Sequence, residues 1–109
     1  FEKAVKVLNR TLDNHPTADE TLAAEANLCL AHTYLANYET AMDACNRALA
    51  LRPVHWQSLV NRGNLYAMNG EAKAAIGDYR AAIKSGGDAP TISRLIVRTE
   101  KAIAQAAVE

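Results

Sequence analysis

Apolar and small residues recur at intervals of three and four along nearly the whole chain, and this spacing predicts helices rather than strands. Val5, Leu8 and Leu12 mark a first helix over about 1–13 that ends before His15-Pro16. Thr17-Ala18-Asp19-Glu20 reads as a capping box: the Thr oxygen accepts from a free backbone N–H, and the Glu three residues on reaches back to the start. The second helix then runs to about Ala36, with Ala24, Leu28, Ala31, His32 and Leu35 as its core stripe. Asn37-Tyr38 is a short turn, and a third helix continues to about Leu51, where Arg52-Pro53 stops it. A fourth covers about 55–69 and ends at Asn69-Gly70, where Gly accepts a left-handed conformation. A fifth covers about 72–85 and ends at Ser85-Gly86-Gly87, and Asp88-Ala89-Pro90-Thr91 begins a sixth that runs towards the C-terminus. Six helices joined by short turns predict antiparallel neighbours.

A longer period lies over this pattern. Ala41-x₃-Cys45-x₂-Ala48 returns as Ala75-x₃-Tyr79-x₂-Ala82 after 34 residues (75 − 41), and the same spacing occurs earlier as Ala4-x₃-Leu8-x₂-Thr11. A fixed period of that size predicts helical hairpins, each burying its apolar face against its neighbours. The small residues then have a task. Gly63 and Ala75 let the two helices of one hairpin approach closely, Ala48 and Ala82 do the same for the next hairpin, and larger side chains there would overpack the joint.

Trp56 to Lys84 resembles a tetratricopeptide repeat. Leu59-x₂-Arg62-Gly63-x₂-Tyr66 stands where that family has W-x₂-L-G-x₂-Y, and Gly70, Ala75, Tyr79 and Ala82 follow in register. Leu22 to His55 resembles a second copy through Leu28, Cys29, Tyr38, Ala41, Ala48 and Pro53, with Glu25 and His32 in place of the usual aromatics. On this resemblance the chain is a single all-α domain, a right-handed superhelical stack of antiparallel hairpins (an α-solenoid). Residues 1–16 are the second helix of an incomplete repeat, 22–55 and 56–87 are full repeats, and 91–109 are a C-terminal capping helix. Gly87 stands where a Pro would close the second full copy. The resemblance also implies a protein-binding function, exercised on the concave face formed by the first helix of each hairpin.

The 34-residue offset locates that face residue by residue. Ala23, Asn27, Leu30 and Tyr34 share a stripe about 110° from the core stripe of the second helix, at ~100° per residue. The equivalent positions in the fourth helix are Gln57, Asn61, Asn64 and Met68. A ladder of Asn27, Asn61 and Asn64 suits an extended peptide, since each amide donates and accepts towards a free backbone; solvated surface Asn is the alternative. In the sixth helix Ile92, Leu95, Ile96, Thr99 and Ile103 form an apolar side, while Arg94, Arg98, Lys101 and Gln105 lie roughly 135° away. Three cations at the end of a groove can hold a carboxylate, and chaperone-binding members of the family use a carboxylate clamp of this kind. Asn61, Arg94 and Arg98 match its later members, whereas Ala26 and Leu30 stand where its first Lys and Asn would be. A solvated face is the alternative reading of this basic stripe.

Composition narrows the function classes. Twelve Lys and Arg balance twelve Asp and Glu in 109 residues, so the formal net charge is zero. That speaks against broad nucleic-acid or membrane-surface binding, which needs sustained positive potential. No apolar run approaches the ~20 residues that span a bilayer, and no signal peptide is present. Both features point to the cytoplasm, although the chain opens at Phe1 rather than Met and leaves room for upstream sequence. His15, His32 and His55 are scattered in the register with no recurring carboxylate or thiol partner, and no phosphate-binding or nucleophile motif occurs. The expectation is therefore no enzyme activity, no metal and no cofactor. Cys29 and Cys45 read as buried thiols acting as small hydrophobes; pairing is open to them only if their Cα atoms lie within about 7 Å. Two functions remain: a module gripping an extended peptide of another protein, or a scaffold that self-associates through an uncovered flank at Phe1, Val5 and Leu8.

Overall fold

The computed structural model describes residues 1–108, which form six α-helices: α1 (Glu2–Asp13), α2 (Ala18–Tyr34), α3 (Tyr38–Leu51), α4 (Trp56–Met68), α5 (Ala72–Lys84) and α6 (Ala89–Val108). No strand occurs among the described residues. Each helix packs on the next in sequence, and α2 also packs on α4. The Cα extents are 50 × 27 × 19 Å.

The helix ends follow local chemistry. Thr17 Oγ1 accepts from the Glu20 backbone N–H at 3.1 Å, and Glu20 Oε1 accepts from the Thr17 N–H at 3.0 Å, so the expected capping box opens α2. Asp88 opens α6 by accepting from the Thr91 N–H at 3.3 Å. Three helices close with one motif, in which a positive-φ residue lets the next N–H reach back five residues. The residues are Ala36 (φ 60°), Gly70 (φ 80°) and Gly86 (φ 100°). The bonds are Asn37 N–H to His32 O at 2.9 Å, Glu71 N–H to Tyr66 O at 2.8 Å, and Gly87 N–H to Ala82 O at 2.9 Å. Because this closure is so tight, α3 begins at Tyr38, inside the expected turn.

Ala36 and Gly70 are equivalent positions, yet only Ala36 carries a Cβ into the left-handed region. Ala36→Gly is therefore expected to raise stability by about 0.5–1 kcal/mol, and Gly70→Ala to lower it by a similar amount. Thermal melts of the two variants, moving in opposite directions, check this.

Gly87 explains where the period breaks. A Cβ built there would lie 2.6 Å from Ile92 Cδ1, 2.9 Å from Ala82 O and 3.1 Å from Trp56 Cε3. A proline would also lose the N–H donated to Ala82 O. The site has no room for the Pro found one period earlier, at Pro53, because α6 turns in directly over it.

Equivalent positions make equivalent joints by different chemistry. Cys29 and Cys45 form a disulfide, with Cα atoms 5.2 Å apart, and both are wholly buried. This corrects the expectation of two free thiols. The positions 34 residues on are Gly63 and Tyr79. There the Tyr79 ring lies over the bare glycine, so close that a Cβ on Gly63 would sit 2.6 Å from Tyr79 Cε1. Leu28 and Ala44 share the core of the first joint, beside the disulfide, Ala41 and Leu65. Their equivalents are Arg62 and Asp78, which are joined by two parallel bonds, Nε to Oδ2 at 2.7 Å and Nη2 to Oδ1 at 2.9 Å. Hydrogen bonding to Asp78 holds the guanidinium pKa above its ordinary value. A second cross-helix pair, Arg47 Nε to Glu25 Oε2 at 2.9 Å, ties α3 to α2.

Several expectations about packing change in detail. Ala48 is wholly buried, but clusters with Leu22 and Ala26 of α2, so its small size serves the α2/α3 joint. α2 is buried on more than the expected stripe, through Leu22, Glu25, Ala26, Cys29 and Thr33 as well, because α1, α3 and α4 all pack on it. His32 is only half-buried, and its Nδ1 meets the Asn37 amide at 3.3 Å. Val5, Leu8 and Leu12 pack, partly buried, against the α2/α3 core, which leaves Phe1 at its start and Val7 as the large exposed apolar residues of this segment. The uncovered flank is thus smaller than expected.

Candidate functional site

The stripe read from the 34-residue offset is a real surface. Ala23, Asn27, Leu30 and Tyr34 are all exposed on α2, and Gln57 and Met68 are exposed on α4 with Asn61 and Asn64 half-buried between them. A hollow of about 340 Å³ gathers Leu30 and Tyr34 from α2, Asn61, Asn64 and Met68 from α4, and Arg98 from α6. Tyr79, Thr33, Leu95 and Thr99 also line it. These four, and Ala67 with them, were not among the expected groove residues, although Tyr79 was known as a repeat position.

Two further hollows adjoin the first through shared walls. One of about 440 Å³ lies between α1 and α2, lined by Phe1, Lys3, Ala4, Val7 and Asn27, and shares Leu30. The other, about 510 Å³, lies between the α4/α5 turn and α6, lined by Gly70, Ala72, Ala102, Ile103 and Ala106, and shares Ala67, Met68, Arg98 and Thr99. The last exists because α6, at 20 residues, outruns the 13-residue α5 on which it packs. Ile92 and Thr99 of α6 are buried, while everything from Glu100 to Val108 is exposed, Ile103 included.

Not every expected residue joins this surface. Gln57 lies in a separate hollow with Arg52, Val54, His55, Trp56 and Ser85. Arg94 lies with Ser93, Val97 and Lys101 on the outer side of Arg98, and its nearest polar partner is Thr91 Oγ1 at 3.5 Å. Arg98 alone of the basic stripe reaches the central hollow.

The asparagines are partly committed to the fold. Asn61 Nδ2 donates to Ala26 O at 3.1 Å, latching α4 to α2. Asn64 Oδ1 accepts from the Tyr79 hydroxyl at 2.6 Å, which fixes the floor of the hollow. Each amide therefore keeps only part of its capacity for a ligand: Asn61 an oxygen and one N–H, Asn64 its NH₂. Asn27, on the neighbouring hollow, is exposed. Burial pushes the Tyr79 phenol above its ordinary pKa, against a smaller opposing effect from Arg98 and Thr99, so this hydroxyl stays a donor at neutral pH. At the rim, the Phe1 and Tyr34 rings stack with centroids 4.5 Å apart.

His55 and Ser58 make the one Ser–His contact among the described residues, Nδ1 to Oγ at 2.7 Å. Ser58 is wholly buried at the third position of α4, and the pair lies at the start of that helix, away from the central hollow. Burial, followed by the charge of Arg52, holds the His55 pKa below its ordinary value of 6.5. The unfolded chain thus binds this proton more readily than the folded one. The contribution is present above the unfolded pKa and is lost as pH falls through the lowered folded pKa. Stability is accordingly expected to fall on acidification below about pH 6.5, and His55→Gln to flatten that slope in denaturant titrations at stepped pH.

No helix among the described residues is long and apolar enough to cross a membrane. No protein-family model matches the chain, and no curated protein matches it significantly.

Proposed function

We propose that this chain is a protein-interaction module of the tetratricopeptide type, a stack of helical hairpins that grips an extended segment of a partner along α2, α4 and α6. The observation that carries this reading is continuity. Leu30 joins the α1/α2 hollow to the central one, and Arg98 joins the central hollow to the α6 hollow. A path with apolar walls and spare amide groups along its floor suits a strand-like backbone, whose unpaired N–H and C=O groups need partners. Arg98 gives the path one fixed cation for an acidic group of the ligand. Exposed Tyr34 and Met68 offer apolar contact at the rim.

A binding role fits these groups better than a catalytic one, because the polar groups of the central hollow hold the fold and carry no nucleophile–base pair. The scaffold reading has less support, since Val5 and Leu8 pack partly against the α2/α3 core, although Leu8 still lines the α1/α2 hollow beside exposed Phe1 and Val7.

The test uses a random-peptide phage library panned on the wild-type chain. Leu30→Asn with Arg98→Glu alters one shared residue at each junction while leaving the Asn61 and Tyr79 contacts in place. Selected peptides are expected to lose on the order of tenfold or more in affinity for this variant, equivalent to about 1.4 kcal/mol, with little change in melting temperature. Equal affinity for both proteins would refute the groove.

A further inference from the structure

We infer that the Cys29–Cys45 bond is a reversible fastening whose redox state sets how firmly α2 is held, while the hairpin stays folded in both states. The inference begins with the sister joint. At the equivalent positions, Gly63 and Tyr79 hold α4 against α5 without a covalent bond, through the ring packed on the glycine and the Tyr79 hydroxyl bonded to Asn64. The hairpin geometry therefore does not require a covalent bond at this crossing.

The reduced state is also provided for. Cys45 Sγ lies 3.8 Å from Ser58 O. In the disulfide this sulfur has no proton to give, but as a thiol it has an acceptor at hand. Leu28, Ala41, Ala44 and Leu65 surround the pair, an apolar setting in which two thiols act as small hydrophobes. Around them the capping box at Thr17 and the Glu25–Arg47 pair fasten α2 through groups other than the sulfurs.

The chemistry balances with a dithiol reductant. Its thiolate attacks one Sγ and the S–S bond breaks. Its second thiol resolves the mixed disulfide, and the reductant leaves as its own disulfide. Two electrons and two protons end on Cys29 and Cys45. Both sulfurs are wholly buried, so attack waits on a transient parting of α2 from α3, and reduction is slow unless that opening is frequent.

Loosening reaches the surface through one helix. Cys29 lies between Asn27 and Leu30, and Ala26, whose carbonyl receives the Asn61 amide, lies one turn before it. The effect on a bound peptide rests on the groove reading; the effect on α2 itself does not.

Hydrogen–deuterium exchange on the peptide-free chain tests the effect on α2 alone. It is measured on the oxidised chain, on the chain reduced with dithiothreitol, and on Cys29→Gly/Cys45→Tyr, which transplants the sister joint. Reduction is expected to keep the far-ultraviolet helical signal and to speed exchange in 22–34 and 38–49 by on the order of a hundredfold. Reoxidation with glutathione disulfide should restore slow exchange, and the transplanted joint should respond to neither reagent. Unchanged exchange on reduction would overturn the inference, because the bond would then bear no load. Loss of helix on reduction, or failure of the slow state to return, would overturn it too.

Discussion

Arg62→Ala is expected to cost about 3–5 kcal/mol of folding stability, the penalty for leaving a buried carboxylate without its partner. Asp78 is only 8% exposed, and both of its oxygens are taken by Arg62. Arg62 also donates to Asn46 Oδ1 at 3.0 Å and lies over the Tyr66 ring at 5.8 Å, so its removal loosens α3 as well as α5. The equivalent residues in the preceding hairpin are Leu28 and Ala44. Arg62→Leu with Asp78→Ala transplants that apolar solution, and the double variant should recover most of the loss, since an apolar replacement of a buried ion pair is often close to neutral. Urea titrations of the single and double variants decide the matter. A double variant no more stable than Arg62→Ala would show that the two joints are not interchangeable.

Gly63→Val is expected to cost about 3 kcal/mol, at the upper end for overpacking a core. Even the first added carbon falls 2.6 Å from Tyr79 Cε1, 2.8 Å from Tyr79 Cδ1 and 3.3 Å from Ala75 O. The ring cannot step aside freely: Tyr79 is 2% exposed and its hydroxyl is bonded to Asn64. The substitution should therefore act twice, lowering the melting temperature and disturbing the floor of the central hollow. Thermal melts measure the first effect, and the amide resonances of Asn64 and its neighbours report the second. Gly77→Ala is the control. Nothing lies within 4 Å of a Cβ built there, so it should be neutral or slightly stabilising.

Much of this could be read from the chain because helix period and repeat period agree. Val5, Leu8 and Leu12 faced the core as their spacing required, and Thr17 and Glu20 closed on one another. The stripe from Asn27 to Tyr34 and its copy from Asn61 to Met68 lined adjoining hollows for the same reason. Periodicity assigns faces, however, and not partners. It put Asn61 towards the groove without disclosing that Ala26 O had taken one of its protons. It placed Arg62 at a normally apolar position while Asp78 passed unremarked 16 residues on. The same 16-residue interval separates Cys29 from Cys45 (45 − 29) and Gly63 from Tyr79 (79 − 63). Applied to pairs instead of single residues, the offset would have set each couple face to face and pointed to the disulfide. The reach of Arg98 into the central hollow, and the failure of Arg94 to join it, depend on how α6 sits across the end of the groove, which side-chain spacing does not encode.

The most direct test of the proposed groove is nuclear magnetic resonance mapping of a peptide selected on the wild-type chain. Titration into the isotope-labelled protein should move the resonances of Asn27, Leu30, Tyr34, Asn61, Asn64, Met68 and Arg98 together, along α2, α4 and α6. Shifts confined to the outer faces of α3 and α5, at residues such as Asp43, Asn46, Lys73 and Arg80, would contradict it.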